Sequence, residues 1–230
     1  MTPRDLLPPM ASERPLHPEA LALLLADARL PVAGHTQSAG LEPALVAGPV
    51  DVPAYVALRL RTVTRTEAAT AVVARAAVLG GTSLEAVQDA WAVRTPSAAM
   101  RRTSRVMGRA LVRLAPRLVA AEHVALLPCE PVRPVVLGLL AAVGGLDAAT
   151  TARIVGYDDI QTVVAAALKL TPLDPAEATG WVVRAFPALE GLVAGVVDLA
   201  CPEEIPARNA PVIEDHAERH AHTTRRLFSA

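Results

Sequence analysis

Residues 131–170 read PVRPVVLGLLAAVGGLDAATTARIVGYDDIQTVVAAALKL, and this stretch decides the fold. Two prolines precede an apolar run that stops at Gly144-Gly145. Proline is favoured at the start of a helix and glycine just after its end. Asp147 then offers a side-chain acceptor for the free N–H groups of a second helix that reaches toward Leu170. The spacing predicts two consecutive helices joined by a short turn.

The same punctuation divides most of the remaining chain into helices. Leu30-Pro31 ends the first helix, because a residue before proline leaves the helical conformation. Asp51 and Pro53 open a long helix that stops at Gly80-Gly81. Further helix starts are predicted at Pro18, near Ser38, at a Thr82–Glu85 capping box, at Ser97 and at Asp174-Pro175. We find no strand pattern, so the sequence predicts an all-α, single-domain, irregular helical bundle.

Composition divides the chain into three parts. Apolar residues make up 52% of its 230 residues and aromatic residues only 3%, so the core must consist of Ala, Val and Leu. Residues 1–17 hold several prolines and are expected to form a flexible N-terminal arm without the apolar stretch of a signal peptide. Residues 18–202 form the helical domain. Residues 203–230 are charged and are expected to form a C-terminal tail that orders on a partner.

Charge and hydropathy exclude several function classes. A formal net charge of -1 favours neither nucleic acid nor membrane as a partner. The most apolar run, Val135 to Leu146, is shorter than the roughly 20 residues that a bilayer requires. Cys129 and Cys201 lack the spacing of a metal site, and two reduced cysteines suit a cytoplasmic protein. A mean hydropathy of +0.35 predicts apolar surface that is buried against another chain.

The loop LPVAGHTQSAGLE, residues 30–42, is the first candidate site. Gly34 and Gly40 permit a close backbone approach or a positive φ angle. The spacing matches neither a P-loop nor a dinucleotide-binding loop, and the loop contains no lysine. A structural turn between two packed helices is therefore favoured over a phosphate site.

Two further features carry charge. Arg101, Arg105, Arg109, Arg113 and Arg117 recur every four residues and form a stripe on a helix, which suits either an acidic protein surface or plain solvation. His216 and His220 are four residues apart and are weak candidates for a shared metal ion, with no third ligand fixed by spacing. No nucleophile with a nearby base stands out, so we do not expect an enzyme.

Four segments occur in order across residues 19–230. They are the loop 30–42, the helix with Arg101, Ser104, Gly108 and Arg109, the segment AAALKLTPL at 165–173, and PVIED at 211–215 continuing through His220 to RLFS at 226–229. Together they resemble the signature of the urease accessory protein UreF family. His35 departs from the aromatic residue usual in that family.

The resemblance implies an all-helical homodimer that works in metallocentre assembly. It implies the accessory protein UreD (also called UreH), the GTPase UreG and apo-urease as partners, with nickel and GTP handled by the assembly and no cofactor bound by this chain. It assigns partner contact, or support of the contact surface, to Gly34, His35, Ser38, Gly40, Leu41, Glu42, Arg101, Ser104, Gly108, Arg109, His220, Arg226, Leu227, Phe228 and Ser229.

Three alternatives stay open. An all-helical, dimeric DNA-binding regulator fits the length, although no N-terminal helix-turn-helix is recognisable. A small hydrolase is the second alternative, and the sequence names no nucleophile for it. In the third, Arg101 or Arg109 supplies an arginine to the GTPase UreG and raises its rate of hydrolysis.

Overall fold

The computed structural model describes residues 17–27, 30, 36–223 and 227–228. This part of the chain is helical and contains no β-strand. Its helices are α1 (Pro18–Leu25), α2 (Leu41–Ala47), α3 (Val52–Arg61), α4 (Val63–Gly80), α5 (Leu84–Val93), α6 (Ala98–Leu114), α7 (Ala121–Val124), α8 (Arg133–Val143), α9 (Ala148–Leu170), α10 (Pro175–Ala194) and α11 (Pro211–Ala221), with 3₁₀ turns at Ala115–Arg117 and Pro202–Glu204. The all-α prediction is confirmed.

Helix α8 lies at the centre of the bundle. Every residue from Arg133 to Ala142 is buried, as expected for a helix that is apolar on all sides. Its most extensive contact is with α4, and α6 and α9 also pack against it. The outer helices α3 and α10 pack on each other and on α9. The core consists mainly of Ala, Val and Leu side chains, as the composition predicts.

Side-chain caps explain five of the helix starts in the described part of the chain. The four predicted caps, Asp51, Ser97, Asp147 and Asp174, each accept a backbone N–H from the first turn of the following helix. These bonds satisfy donors that a helix start leaves free. Helix α4 also ends as predicted, since Gly81 takes the left-handed conformation with φ of 67°.

The predicted long helix from Asp51 to Gly80 is wrong, because the chain breaks at Thr62. Thr62 has φ of -121° and ψ of -105°, outside the helical region. Its hydroxyl donates to the Leu58 carbonyl, 2.7 Å away, which satisfies an acceptor that the break would leave free. Two helices, α3 and α4, therefore replace one.

Two predicted helix starts are displaced. The cap of α5 is Ser83, which accepts the Glu85 N–H, whereas the Thr82 hydroxyl turns back to the Ala77 carbonyl at the end of α4. The helix expected near Ser38 begins only at Leu41. The intervening Ala39 and Gly40 have positive φ angles and cannot continue a right-handed helix.

The charged C-terminal segment packs against other helices of its own chain. Helix α11 packs on α6 and α2, and Ile213 and Phe228 are buried in the core. That this tail orders only on a partner stays a prediction, as does the flexible arm, of which residues 1–16 lie outside the described residues. No helix in the described part of the chain has the length and apolar character needed to cross a membrane.

Candidate partner-binding site

A cavity of about 140 Å³, with a mostly apolar lining and a cluster of charged side chains, lies where the loop 37–40 meets α3, α4, α6, α8, α9 and α11. Its polar and charged lining residues are Gln37, Ser38, Arg59, Glu67, Thr103, Ser104, Arg133, Asp158, Asp159, Thr162 and His220. Three of them, Ser38, Ser104 and His220, belong to the set that the resemblance assigns to partner contact. The cavity thus brings together segments from both ends of the chain.

Arg59 and Asp159 form a bidentate ion pair in the cavity wall. The Arg59 Nε and Nη2 atoms donate to the two oxygens of Asp159 at distances of 2.6–3.2 Å, and both side chains are largely buried. The Thr64 hydroxyl donates a further hydrogen bond to the same carboxylate. Burial lowers the pKa of Arg59, but the Asp159 carboxylate outweighs that effect and raises it. Arg59 therefore stays charged, and its ion pair with Asp159 ties α3 to α9.

The neighbouring residue Asp158 binds a different arginine. Its carboxylate accepts from Arg133 Nη2 at 2.8 Å, which joins α9 to α8. Burial raises the pKa of Asp158, and Arg133 offsets only part of that rise. Ser104 of α6 accepts the Arg133 backbone N–H, 3.2 Å away, and so satisfies a donor at the start of α8. Ser104 therefore supports the site from inside.

Glu67 contributes a third carboxylate. Its Oε1 accepts a hydrogen bond of 2.6 Å from the indole N–H of buried Trp91. Burial raises the pKa of Glu67, although Arg133 and the Trp91 hydrogen bond oppose the rise. This carboxyl thus keeps its proton to a higher pH than an exposed glutamate does.

The loop is held by its Ala39 carbonyl. The hydroxyl of Tyr55 and the Nη1 of Arg59 both donate to this oxygen at 2.8 Å. Burial raises the pKa of Tyr55, so its hydroxyl stays a donor. Gly40 has φ of 79°, and a Cβ atom at this position would lie 2.8 Å from the Tyr55 hydroxyl. Both constraints explain why glycine stands at position 40.

The C-terminal tail is fastened to the start of α2. Glu42 accepts the Leu227 N–H at 2.6 Å with one carboxylate oxygen and the Phe228 N–H at 3.0 Å with the other. His220 Nε2 lies 3.1 Å from the Phe228 carbonyl and 3.4 Å from Glu42. Since both neighbours are acceptors, Nε2 is the ring nitrogen that carries a proton. The Lys169 ammonium lies 5.2 Å from the centre of the Phe228 ring, within cation–π range.

The remaining predicted residues fall into separate groups. Leu41 is fully buried, Gly108 packs against the Pro131 carbonyl, and Arg101 donates to the carbonyls before α6. These three support the fold. Arg109 and Leu227 are exposed to solvent. Gly34, His35, Arg226 and Ser229 lie outside the described residues.

His216 and His220, the weak candidates for a shared metal ion, lie in different surroundings. His220 is buried and bound to the tail, whereas His216 Nδ1 is buried without a hydrogen-bond partner among the described residues. Burial lowers the pKa of His216. In the part of the chain that the structure describes, no three His, Cys, Asp or Glu side chains are grouped to hold a metal ion.

The sequence reasoning missed the charged residues of the cavity wall, namely Arg59, Glu67, Arg133, Asp158 and Asp159. One signal was available, because each stands in a helix whose other residues are mostly apolar. A charged residue in such a setting is buried only when it is paired.

Comparison with known proteins identifies the family of this chain. The family model described as UreF matches residues 46–185. The proteins that are similar to this chain include three named urease accessory protein UreF. The protein from Mycobacterium sp. (strain JLS) is 34% identical over 90% of this chain and 97% of its own length. The protein from Mycolicibacterium vanbaalenii is 32% identical over 92% of this chain and 98% of its own length. The protein from Mycobacterium tuberculosis (strain H37Rv) is 33% identical over 91% of this chain and 97% of its own length. The chain therefore belongs to the UreF family of urease accessory proteins.

Proposed function

We propose that this chain is a non-catalytic scaffold in urease maturation. It binds UreD (UreH) and the GTPase UreG and holds them on apo-urease while nickel is inserted. One observation carries the proposal: Glu42 binds the backbone of Leu227 and Phe228, so the first and last segments that resemble the family meet beside the exposed Leu227 side chain. A surface built from distant segments suits binding to other proteins, and family membership supplies the identity of those proteins.

The chemistry of the cavity supports a non-catalytic role. Asp159 and Asp158 are each paired with an arginine, and Glu67 accepts from Trp91. Such pairs hold helices in register and offer no activated nucleophile. In this proposal nickel and GTP are bound by the other proteins of the assembly, and the chain itself needs no cofactor.

The scaffold acts as a homodimer in the cytoplasm. A dimer brings two copies of UreG close to each other and to the UreD subunits. The dimer contact would also cover part of the apolar surface that the mean hydropathy of +0.35 indicates. Light scattering of the purified chain measures the mass directly, and a monomer at high concentration contradicts this part of the proposal.

The experiment that tests the scaffold is co-purification with UreD, UreG and apo-urease from the same organism. Size exclusion with light scattering would follow complexes of the full chain and of a chain truncated after Arg225. This truncation removes Leu227 and Phe228 but leaves α11 and its buried Ile213 in place. A milder second variant is Glu42→Gln, which keeps one side-chain acceptor for the tail.

The full chain is expected to form a complex with UreD that recruits UreG, and the truncated chain to lose that complex. The Glu42→Gln chain should give an intermediate result, because it keeps only part of the acceptor capacity. A well-folded full chain that binds none of the three proteins contradicts the scaffold. Isothermal titration with Ni²⁺ is expected to show no tight site on the isolated chain.

A further inference from the structure

The outer face of α6 carries a row of arginines that the cavity does not use. Arg102, Arg105, Arg109 and Arg113 fall on one side of the helix, because successive residues rotate by about 100°. The row is roughly 16 Å long at 1.5 Å per residue. Arg101 is not part of it, since its side chain folds back onto the carbonyls of Thr95 and Pro96.

This arginine row has little negative charge near it. Arg109 makes one long ion pair of 3.5 Å with Glu130, and both side chains are more than half exposed. Arg105 and Arg113 have no ion-pair partner among the described residues. Arg102 faces Glu218, a carboxylate that Ser97 and Ala99 already hold by hydrogen bonds. The guanidinium groups of Arg105 and Arg113 are therefore left to the solvent or to a ligand, and that of Arg109 is held only by its long, exposed ion pair.

The spacing and surroundings of the arginine row favour a protein surface over a nucleic acid as its ligand. Neighbouring groups in the series 105, 109 and 113 are about 6 Å apart along the axis, which matches carboxylates one turn apart on a partner helix. Val106 lies within the row and is 44% exposed, and an apolar side chain among arginines suits the mixed surface of a protein. The row contains no aromatic residue on which a base could stack.

The charge of the whole chain also disfavours nucleic acid. Its formal net charge is -1, so a long polyanion meets repulsion beyond the row. At physiological salt, exposed charges are screened over about 8 Å. A compact acidic patch of a folded protein that docks on the row therefore interacts mainly with the arginines of the row and little with the rest of the chain. We propose that the arginine row of α6 docks a carboxylate-rich face of a partner protein.

The choice of partner rests on the proposed function, while the surface itself can be tested without it. The test compares two variants that lose the same charge. One is Arg105→Gln/Arg109→Gln/Arg113→Gln in the row. The other is Arg61→Gln/Arg184→Gln/Arg208→Gln, which removes three exposed arginines elsewhere. Circular dichroism and thermal unfolding establish that both variants fold.

Four sets of probes are measured by biolayer interferometry at low and at physiological salt. They are UreD, UreG and apo-urease of the same organism, a helical peptide with glutamates at every fourth position, its glutamine counterpart, and a short DNA duplex. The row variant is expected to bind at least one protein about tenfold more weakly than wild type, with the control variant unchanged. The glutamate peptide is expected to bind the wild type and the control variant but not the row variant. The glutamine peptide is expected to bind none of the three.

The outcomes separate the two proposals. If a protein binds wild type and the row variant equally, and the glutamate peptide does not discriminate between them, the docking surface is overturned while the scaffold stands. If no urease protein binds wild type but the glutamate peptide needs the row, the proposed function fails and the surface stands. Salt-dependent DNA binding that is lost only in the row variant makes nucleic acid the ligand and overturns the inference.

Discussion

At the scale of the residue, the cavity wall carries an energetic cost. Glu67 and Asp158 both have a raised pKa because burial removes their carboxylates from water. A raised carboxyl pKa means that the folded state keeps a proton which the unfolded state has lost. Stability therefore falls as the pH rises from the ordinary value through the raised one, and the cost is present in full above it.

Glu67→Gln is expected to remove that cost while keeping an oxygen acceptor for Trp91. The variant should be more stable than wild type at neutral pH, and the difference should vanish well below 4.5, the ordinary value for a glutamate. Each kcal/mol gained raises Tm by about 2–4 °C in a domain of this size. Thermal unfolding at the two pH values measures it, with exposed Glu203→Gln as the control. A Tm at neutral pH equal to that of wild type contradicts the prediction.

Arg59 and Asp159 should behave as one unit. Arg59→Met leaves a buried carboxylate without its cation and is expected to cost about 3–5 kcal/mol. Arg59→Met/Asp159→Leu removes both charges and should cost less than Arg59→Met alone. Urea denaturation of the two single variants and the double variant gives the coupling energy. Additive losses would show that the two side chains act independently.

At the scale of the element, close packing gives two helical glycines opposite fates. A Cβ atom on Gly108 would lie 1.9 Å from the Pro131 carbonyl, whereas Gly191 of α10 has nothing within 4 Å. Gly108→Ala is therefore expected to lose about 1–3 kcal/mol through overpacking. Gly191→Ala should gain about 0.5–1 kcal/mol from helix propensity. Urea denaturation measures both changes. A Gly108→Ala chain as stable as wild type would contradict the prediction that close packing requires glycine at position 108.

Local signals predicted the elements well. The caps at Asp51, Ser97, Asp147 and Asp174 involve bonds to residues two or three positions away, so the sequence reveals them directly. The break at Thr62 was missed because no proline or glycine marks it. Its cause is the backbone geometry of Thr62 itself, which residue type alone does not disclose.

The candidate site was only half predictable for a different reason. Ser38, Ser104 and His220 were found through the resemblance, and the structure brings them to one cavity. The pair Arg59 and Asp159 is separated by 100 positions, and no periodic pattern links two such residues. The sequence reveals a charged residue in an apolar helix, but the residue that pairs with it is determined only by how the helices pack.

At the scale of the whole molecule, the start of α2 and the C-terminal segment meet at Glu42. The resemblance assigns Leu227 and Phe228 alike to partner contact. In the structure the two differ, since Phe228 is 4% exposed and Leu227 is 64% exposed. Phe228 therefore fastens the tail to its own chain, and Leu227 is left as the apolar residue that a partner can cover.

Phe228→Ala and Leu227→Ala should separate these two roles. Phe228→Ala is expected to free the tail, which hydrogen exchange detects as faster exchange of the amides that Glu42 now binds. Leu227→Ala should leave the stability of the chain within about 0.5 kcal/mol. Covering a large apolar side chain contributes roughly 1.5–3 kcal/mol, so Leu227→Ala should weaken UreD binding by at least about tenfold.

The control is Leu79→Ala, which shortens a leucine that is 61% exposed at the end of α4. It removes the same apolar surface from a different face and should leave both hydrogen exchange at the tail and UreD binding unchanged. If Leu227→Ala binds UreD as tightly as Leu79→Ala does, UreD does not cover Leu227. If Phe228→Ala then still weakens binding, the tail serves UreD only by shaping the start of α2 through Glu42.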